Sequence, residues 1–182
     1  AEGGEAEGGE AEGGEAEGGE SGGGPNPDDD ITCTPGTDLV TTTSDATDNL
    51  SVFTSNVSET WACFSFSEGA QVETGWDIAW KSYDTATSST VDGLVLEGQD
   101  YDALSTVPEG DWSEGDPDLM DDWFDYSGSP DHLVTPKDHV YVLEDADGGV
   151  WKVQITTYYR DAELGGDAHY PTLRWASISG DE

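Results

Sequence analysis

The chain is 182 residues long and carries 41 acidic side chains against 5 basic ones, a net charge of −36 with His neutral. That balance excludes nucleic acid as a partner, because phosphate binding needs clustered Lys and Arg, and it argues equally against an anionic membrane surface. No apolar run is long enough to form a transmembrane helix.

Residues 1–20 repeat Ala-Glu-Gly-Gly-Glu four times and run into Ser-Gly-Gly-Gly-Pro-Asn-Pro-Asp-Asp-Asp. No apolar side chain in the repeat is larger than Ala and its glutamates repel one another, so burial cannot offset the entropy of ordering it. Residues 1–30 therefore read as a disordered Gly/Glu-rich linker and residues 31–182 as one domain. A spacer of this kind separates a domain from an attachment, although a tail with no anchor is also compatible. Ala1 in place of an initiator Met reads as a processed chain. Eleven acidic residues lie in the linker, leaving 30 against 5 basic residues in the domain, a net charge of −25. Such acidity either selects for cations or keeps the protein soluble in a saline setting.

Cys33 and Cys63 follow no Cys-x-x-Cys or other metal-ligand spacing. In an oxidising compartment they form a disulfide that pins the start of the domain to a core strand; the alternative is a pair of buried thiols. The spacing gives such a disulfide a stabilising effect on the order of 3 kcal/mol.

Beyond Cys33 the pattern is β. Ala62, Phe64 and Phe66 alternate with Trp61, Cys63, Ser65 and Ser67, predicting a strand over 60–67 with an aromatic face. A second strand is predicted over Trp76–Tyr83, placing Trp76, Ile78 and Trp80 on one face. Val91–Leu96 predicts a third, while Tyr101–Leu104 and Leu119–Phe124 are long enough only for a helical turn or two. Val140-Tyr141-Val142-Leu143 and Trp151-Lys152-Val153-Gln154-Ile155-Thr156, joined through Asp145-Ala146-Asp147-Gly148-Gly149, predict one long hairpin. Trp151, Val153 and Ile155 take its core face, with Lys152, Gln154 and Thr156 on a wetter one. Leu173–Ile178 closes the domain, with Leu173 and Trp175 pointing one way. The expectation is an all-β, mainly antiparallel domain with long loops at 84–90, 105–131 and 160–170.

Loops carry function on a β scaffold. Residues 105–131 hold Trp112, Met120, Trp123, Phe124 and Tyr126 among Asp111, Glu114, Asp116, Asp118, Asp121, Asp122 and Asp125. These aromatics either cover the open end of the sheet or wall a pocket for a flat apolar ligand.

Five blocks then stand in a telling order: Gly75-Trp76-Asp77-Ile78-Ala79-Trp80; Asp122-Trp123-Phe124-Asp125-Tyr126; His132-Leu133-Val134-Thr135-Pro136-Lys137-Asp138-His139-Val140-Tyr141-Val142; Asp147-Gly148 with Trp151 to Tyr159; and Thr172-Leu173-Arg174-Trp175. Across residues 55–178 the chain resembles the HmuY family, haem-binding or haemophore-like lipoproteins of bacterial outer membranes. The resemblance implies an all-β fold of the HmuY-like type with a cleft for haem, and a lipid anchor on a cysteine upstream of Ala1, with residues 1–30 as tether. It also implies haem capture at the cell surface without chemical conversion, and an outer-membrane receptor as a possible partner. Members hold the iron between two axial His or Met side chains contributed by loops.

The candidates here are His132, His169, His139 and Met120, with Trp123 and Tyr126 as aromatic wall. His132 ranks first because it follows Ser129-Pro130-Asp131 at the entrance to the hairpin, close to Trp123 and Tyr126 in sequence, with Asp131 as a possible orienting carboxylate. His169 precedes the last strand, and His139 is expected to face solvent or a neighbouring strand. Residues 84–118 contain no His or Met, so any axial ligand that the family supplies from there is missing.

Other classes are weighed beside haem capture. Asp116, Asp118, Asp121, Asp122 and Asp125 offer oxygen ligands for Ca²⁺, but without EF-hand spacing. Asp145-Ala146-Asp147-Gly148 reads more economically as a turn than as a cation loop. Nothing resembles a nucleophile elbow, so an enzyme is not expected. The plainest alternative is a structural or adhesive cell-surface β-domain, with Ca²⁺ in its acidic loops.

Overall fold

A computed structural model describes residues 30–34, 39–44, 48–53, 57 and 59–179, so the linker expected over residues 1–30 lies outside the described residues apart from Asp30. The domain is all-β, as its alternating pattern predicts, and every pair of strands is antiparallel.

The larger sheet runs β1 (Val40–Ser44), β2 (Asn49–Phe53), β13 (Ala168–Ser177), β12 (Val150–Tyr159), β11 (His139–Glu144), β7 (Asp92–Glu97) and β8 (Ser113–Glu114), in that spatial order. The smaller one runs β4 (Ala70–Gln71), β3 (Ala62–Ser65), β5 (Ile78–Lys81) and β6 (Asp84–Thr87). A two-stranded ribbon pairs β9 (Phe124–Tyr126) with β10 (Val134–Pro136).

The predicted hairpin is the centre of the larger sheet. Tyr141 pairs with Val153 and Leu143 with Trp151, while Val153 also faces Trp175 and Ile155 faces Leu173 across β13. Directly opposite residues share a face, so this register gathers Tyr141, Leu143, Trp151, Val153, Ile155, Leu173 and Trp175 on one side. The hairpin closes on Asp145, whose carboxylate accepts the N–H groups of Asp147 (3.0 Å) and Gly149 (2.8 Å) and the indole N–H of Trp151 (2.9 Å). It is a turn with its carboxylate fully used, as the Asp-Gly sequence suggested.

Against that face packs the aromatic side of the smaller sheet. Phe64 lies 5.7 Å from Trp175 and Phe66 5.3 Å from it, both edge-on, while Phe66 stacks on Trp151 at 6.1 Å. Phe53 and Trp80 complete the layer at 5.9 Å. Tilted and edge-on rings at these separations add attraction beyond burial alone.

Each outer face also acquires a cover, and here the structure departs from the sequence expectations. Lys152, expected on a wet face, is buried: its ammonium donates to the carbonyls of Tyr101 and Leu104, both at 2.9 Å, and lies 4.2 Å from the Tyr101 ring. Residues 101–104 form a turn rather than a helix and pack with Leu94, Val140 and Val142 on the back of the larger sheet. Trp76 does not share the face of Ile78 and Trp80. The chain bends through residues 73–77, with Gly75 at φ +65°, so the strand begins only at Ile78 and Trp76 joins Cys63, Ala79 and Ala86 on the outside. There the Cys33–Cys63 disulfide forms, with a Cα separation of 5.5 Å, tying the N-terminal segment to β3. Residues 84–87, expected in a loop, make edge strand β6 instead, because β5 presents an unpaired edge and Thr85, Ala86 and Thr87 suit extended backbone.

After β8 the chain returns Leu119, Met120 and Trp123 to the main core. Leu119 fills the space above Gly93, where a Cβ would stand 2.0 Å from the Leu119 methyl Cδ2, so a larger residue at this point of β7 forces the Leu119 side chain to move.

Candidate functional site

The aromatics of the long loop divide between the two roles open to them. Met120 and Trp123 point inward, each 1% exposed, and belong to the main core. The Trp123 indole donates to the Tyr83 carbonyl at 3.0 Å, and its ring meets Trp80 at 5.0 Å. From Phe124 onward the chain turns into β9, where alternation puts Phe124 and Tyr126 on one face. Beside them stands Tyr83, in the β5–β6 turn, next to Ser82 with its left-handed backbone (φ 57°). Tyr83, Phe124 and Tyr126 line an open depression of about 320 Å³. Tyr83 is 41% and Tyr126 54% exposed, so these rings offer apolar surface that nothing in the fold covers.

Two of these rings each have an imidazole beside them. The His169 ring lies 5.7 Å from Tyr83 and 5.4 Å from Tyr158, and its Nδ1 is 2.5 Å from the Tyr158 hydroxyl. The His132 ring lies 5.9 Å from Tyr126, and its Nδ1 is hydrogen-bonded to the Tyr126 hydroxyl. Asp131, expected to orient His132, does not do so; the phenol does. The segments bearing the two histidines touch, since Leu133 Cδ2 lies 3.1 Å from where a Cβ on Gly165 would stand. The ribbon is fastened to the large sheet by the Val134 N–H, which donates to the Tyr159 hydroxyl at 2.8 Å.

Backbone conformation marks the same region. Among the described residues, the non-glycine positions with positive φ are Ser82, His132, Asp161, Ala162 and His169. Ser82, His132 and His169 adjoin or bear the rings at the depression, while Asp161 and Ala162 lie in the β12–β13 connection, where Asp161 lines a separate polar hollow. Such conformations cost on the order of 1–3 kcal/mol each and collect where a site over-determines them.

The electrostatics favour neutral groups. Burial pulls the His169 imidazole below the usual histidine range and pushes the Tyr158 phenol well above the usual tyrosine range. Both are therefore uncharged near pH 7. A neutral imidazole is a metal ligand, whereas an imidazolium is not.

The remaining sequence candidates lie elsewhere. His139 is buried on β11, with Nδ1 3.5 Å from the Tyr141 hydroxyl, and faces neither solvent nor the depression. Met120 and Trp123 are core residues, the reverse of their expected place beside a ligand. The acidic residues of 116–125 do not converge: Asp116 closes a turn on the Asp118 N–H, Asp121 accepts from Thr85 at 3.3 Å, and Asp122 pairs with Lys137. Among the described residues no group of three or more His, Cys, Asp or Glu side chains is placed to hold a metal ion, so the Ca²⁺ expectation has no support. Tyr83 and Tyr158 escaped sequence reasoning, because each ends a strand-like run that reads as core.

No family pattern matches the sequence, and no curated protein matches it. Solved structures do. An apo HmuY analogue from Tannerella forsythia superposes with a TM-score of 0.59 at 10% identity, covering 78% of this chain and 98% of that one. The fold is HmuY-like. A Bacteroides vulgatus protein named as HmuY-like and haem-binding gives a TM-score of 0.58 at 18% identity, covering 75% of this chain and 95% of that one. A Bacteroides fragilis protein named as a lipoprotein gives 0.58 at 16% identity, covering 74% and 91%. The HmuY-like likeness thus spans nearly the whole length of each of these chains, with little sequence in common.

Proposed function

We propose that this protein captures haem at the cell surface, binding it on the depression of Tyr83, Phe124 and Tyr126 with His132 and His169 as the iron ligands. The observation that carries the reading is an uncovered aromatic surface with an imidazole beside two of its three rings, His169 at Tyr83 and His132 at Tyr126. A flat macrocycle matches the aromatic walls, and imidazole is a common axial donor for haem iron. Haem brings the iron and its ring; the chain supplies stacking surface, two imidazole nitrogens and positions fixed by β10 and β13. The proposed role is binding without conversion. The likeness to proteins named as haem-binding and as a lipoprotein supports the same reading, with residues 1–30 as tether to an upstream lipid anchor and an outer-membrane receptor as the taker of the cargo.

Titrating the purified protein with haemin tests the proposal. A saturable Soret shift that is lost in the His132→Ala, His169→Ala double variant is the expected result. A spectrum equal to that of free haemin would leave a structural or adhesive β-domain in place of a haem carrier.

A further inference from the structure

Each histidine at the depression is held through the same ring atom by the same kind of group. Tyr126 Oη meets His132 Nδ1, and Tyr158 Oη meets His169 Nδ1. The two pairs are unrelated in sequence spacing, six and eleven residues apart. They also differ in setting: Tyr126 is half exposed on the ribbon, while Tyr158 is buried in β12. In both pairs the bond leaves Nε2 as the ring nitrogen not held by tyrosine. In both the histidine sits in left-handed backbone, His132 at φ 53° and His169 at φ 68°. Such a conformation needs a restraint beyond local preference.

We infer that Tyr126 and Tyr158 are positioning residues that hold His132 and His169 in a ligand-ready orientation, in the empty and the loaded protein alike. This rests on the proposed haem site and adds to it what fixes the ligands. The choice of a phenol matters because of its protons. A carboxylate only accepts and so locks one tautomer, with hydrogen on Nδ1. A hydroxyl both donates and accepts. In the empty protein it donates to bare Nδ1, and the imidazole proton sits on Nε2. When Nε2 ligates a metal, that position gives up its proton and Nδ1 takes one, so the ring stays neutral with one proton throughout. The hydroxyl then rotates and accepts from Nδ1–H. The ring keeps its place through the exchange, and its charge does not change.

The test uses the full chain with ¹⁵N-labelled histidine and the variants Tyr126→Phe, Tyr158→Phe and the double variant. Long-range ¹H–¹⁵N spectra of the haem-free protein should show Nδ1 of His132 and His169 as a hydrogen-bond acceptor, with that signature lost at the matching histidine in each variant. Haemin affinity should fall by about tenfold or more per lost hydroxyl, the usual consequence of removing the partner of a metal-bound imidazole. The Soret position should persist, because both ligands remain, while the midpoint potential of bound haem should rise as Nδ1–H loses its acceptor. Wild-type affinity and potential in both single variants would overturn the inference and leave the haem site standing. No haemin binding by the wild-type protein would overturn both. If Tyr158→Phe fails to fold, Tyr126→Phe decides, since its ring lies at the surface.

Discussion

Asp77 carries the sharpest consequence for stability. Its carboxylate is buried just before β5, accepts the Phe66 N–H at 2.6 Å, and lies near the carboxylates of Asp145 and Asp147. Burial is the main cause that pushes its pKa from 3.8 up to about 6, against the opposing hydrogen bond from Phe66. Between those two values the native protein holds a proton that the unfolded chain has lost. The unfolded state therefore binds fewer protons, and this group's contribution to stability declines as pH rises through the window. A difference of that size corresponds to about 3 kcal/mol once pH exceeds 6. Asp77→Asn keeps an oxygen acceptor for Phe66 and abolishes the charge. The variant should be more stable than wild type by about 2–3 kcal/mol at pH 7 and close to it at pH 4. Urea unfolding of both proteins at pH 4, 5, 6 and 7 measures the difference directly and cancels the general repulsion of this acidic surface. A constant difference across that range, or a variant less stable at pH 7, would refute the reasoning.

Three further outcomes follow from packing. Replacing Cys33 and Cys63 with Ser opens a loop whose ends are 30 residues apart; unfolding free energy should drop by about 3 kcal/mol, read by urea denaturation. Lys152→Met keeps the stem but leaves the Tyr101 and Leu104 carbonyls without their ammonium partner. Destabilisation of about 2–4 kcal/mol is expected, with hydrogen exchange accelerated first over residues 99–112. Gly93→Ala drives a methyl into Leu119 Cδ2 and should cost about 1–3 kcal/mol of stability by thermal melting, with relief in Gly93→Ala, Leu119→Ala.

The β11–β12 hairpin and the aromatic face of β3 were legible because period-two alternation and an Asp-Gly turn are local signals, and tertiary contacts agreed with them. Of the residues singled out from the sequence, Tyr126 lines the depression and His132 and His169 adjoin its rings, whereas Met120 and Trp123 went to the core. Neighbours in sequence, Trp123 and Phe124, lie on opposite sides of the line between core and site. Only the path of the chain as it leaves the core and enters β9 separates them.

Composition and alternation by themselves determined an acidic, all-β domain and its central hairpin, since charge balance and side-chain period are properties of the chain. Tertiary structure decided which aromatic rings are core and which are surface, why Lys152 is buried, and which hydroxyl each imidazole meets. Those outcomes depend on elements distant in sequence arriving at one place: β5, the ribbon and the β12–β13 connection meet around a depression that no one of them contains.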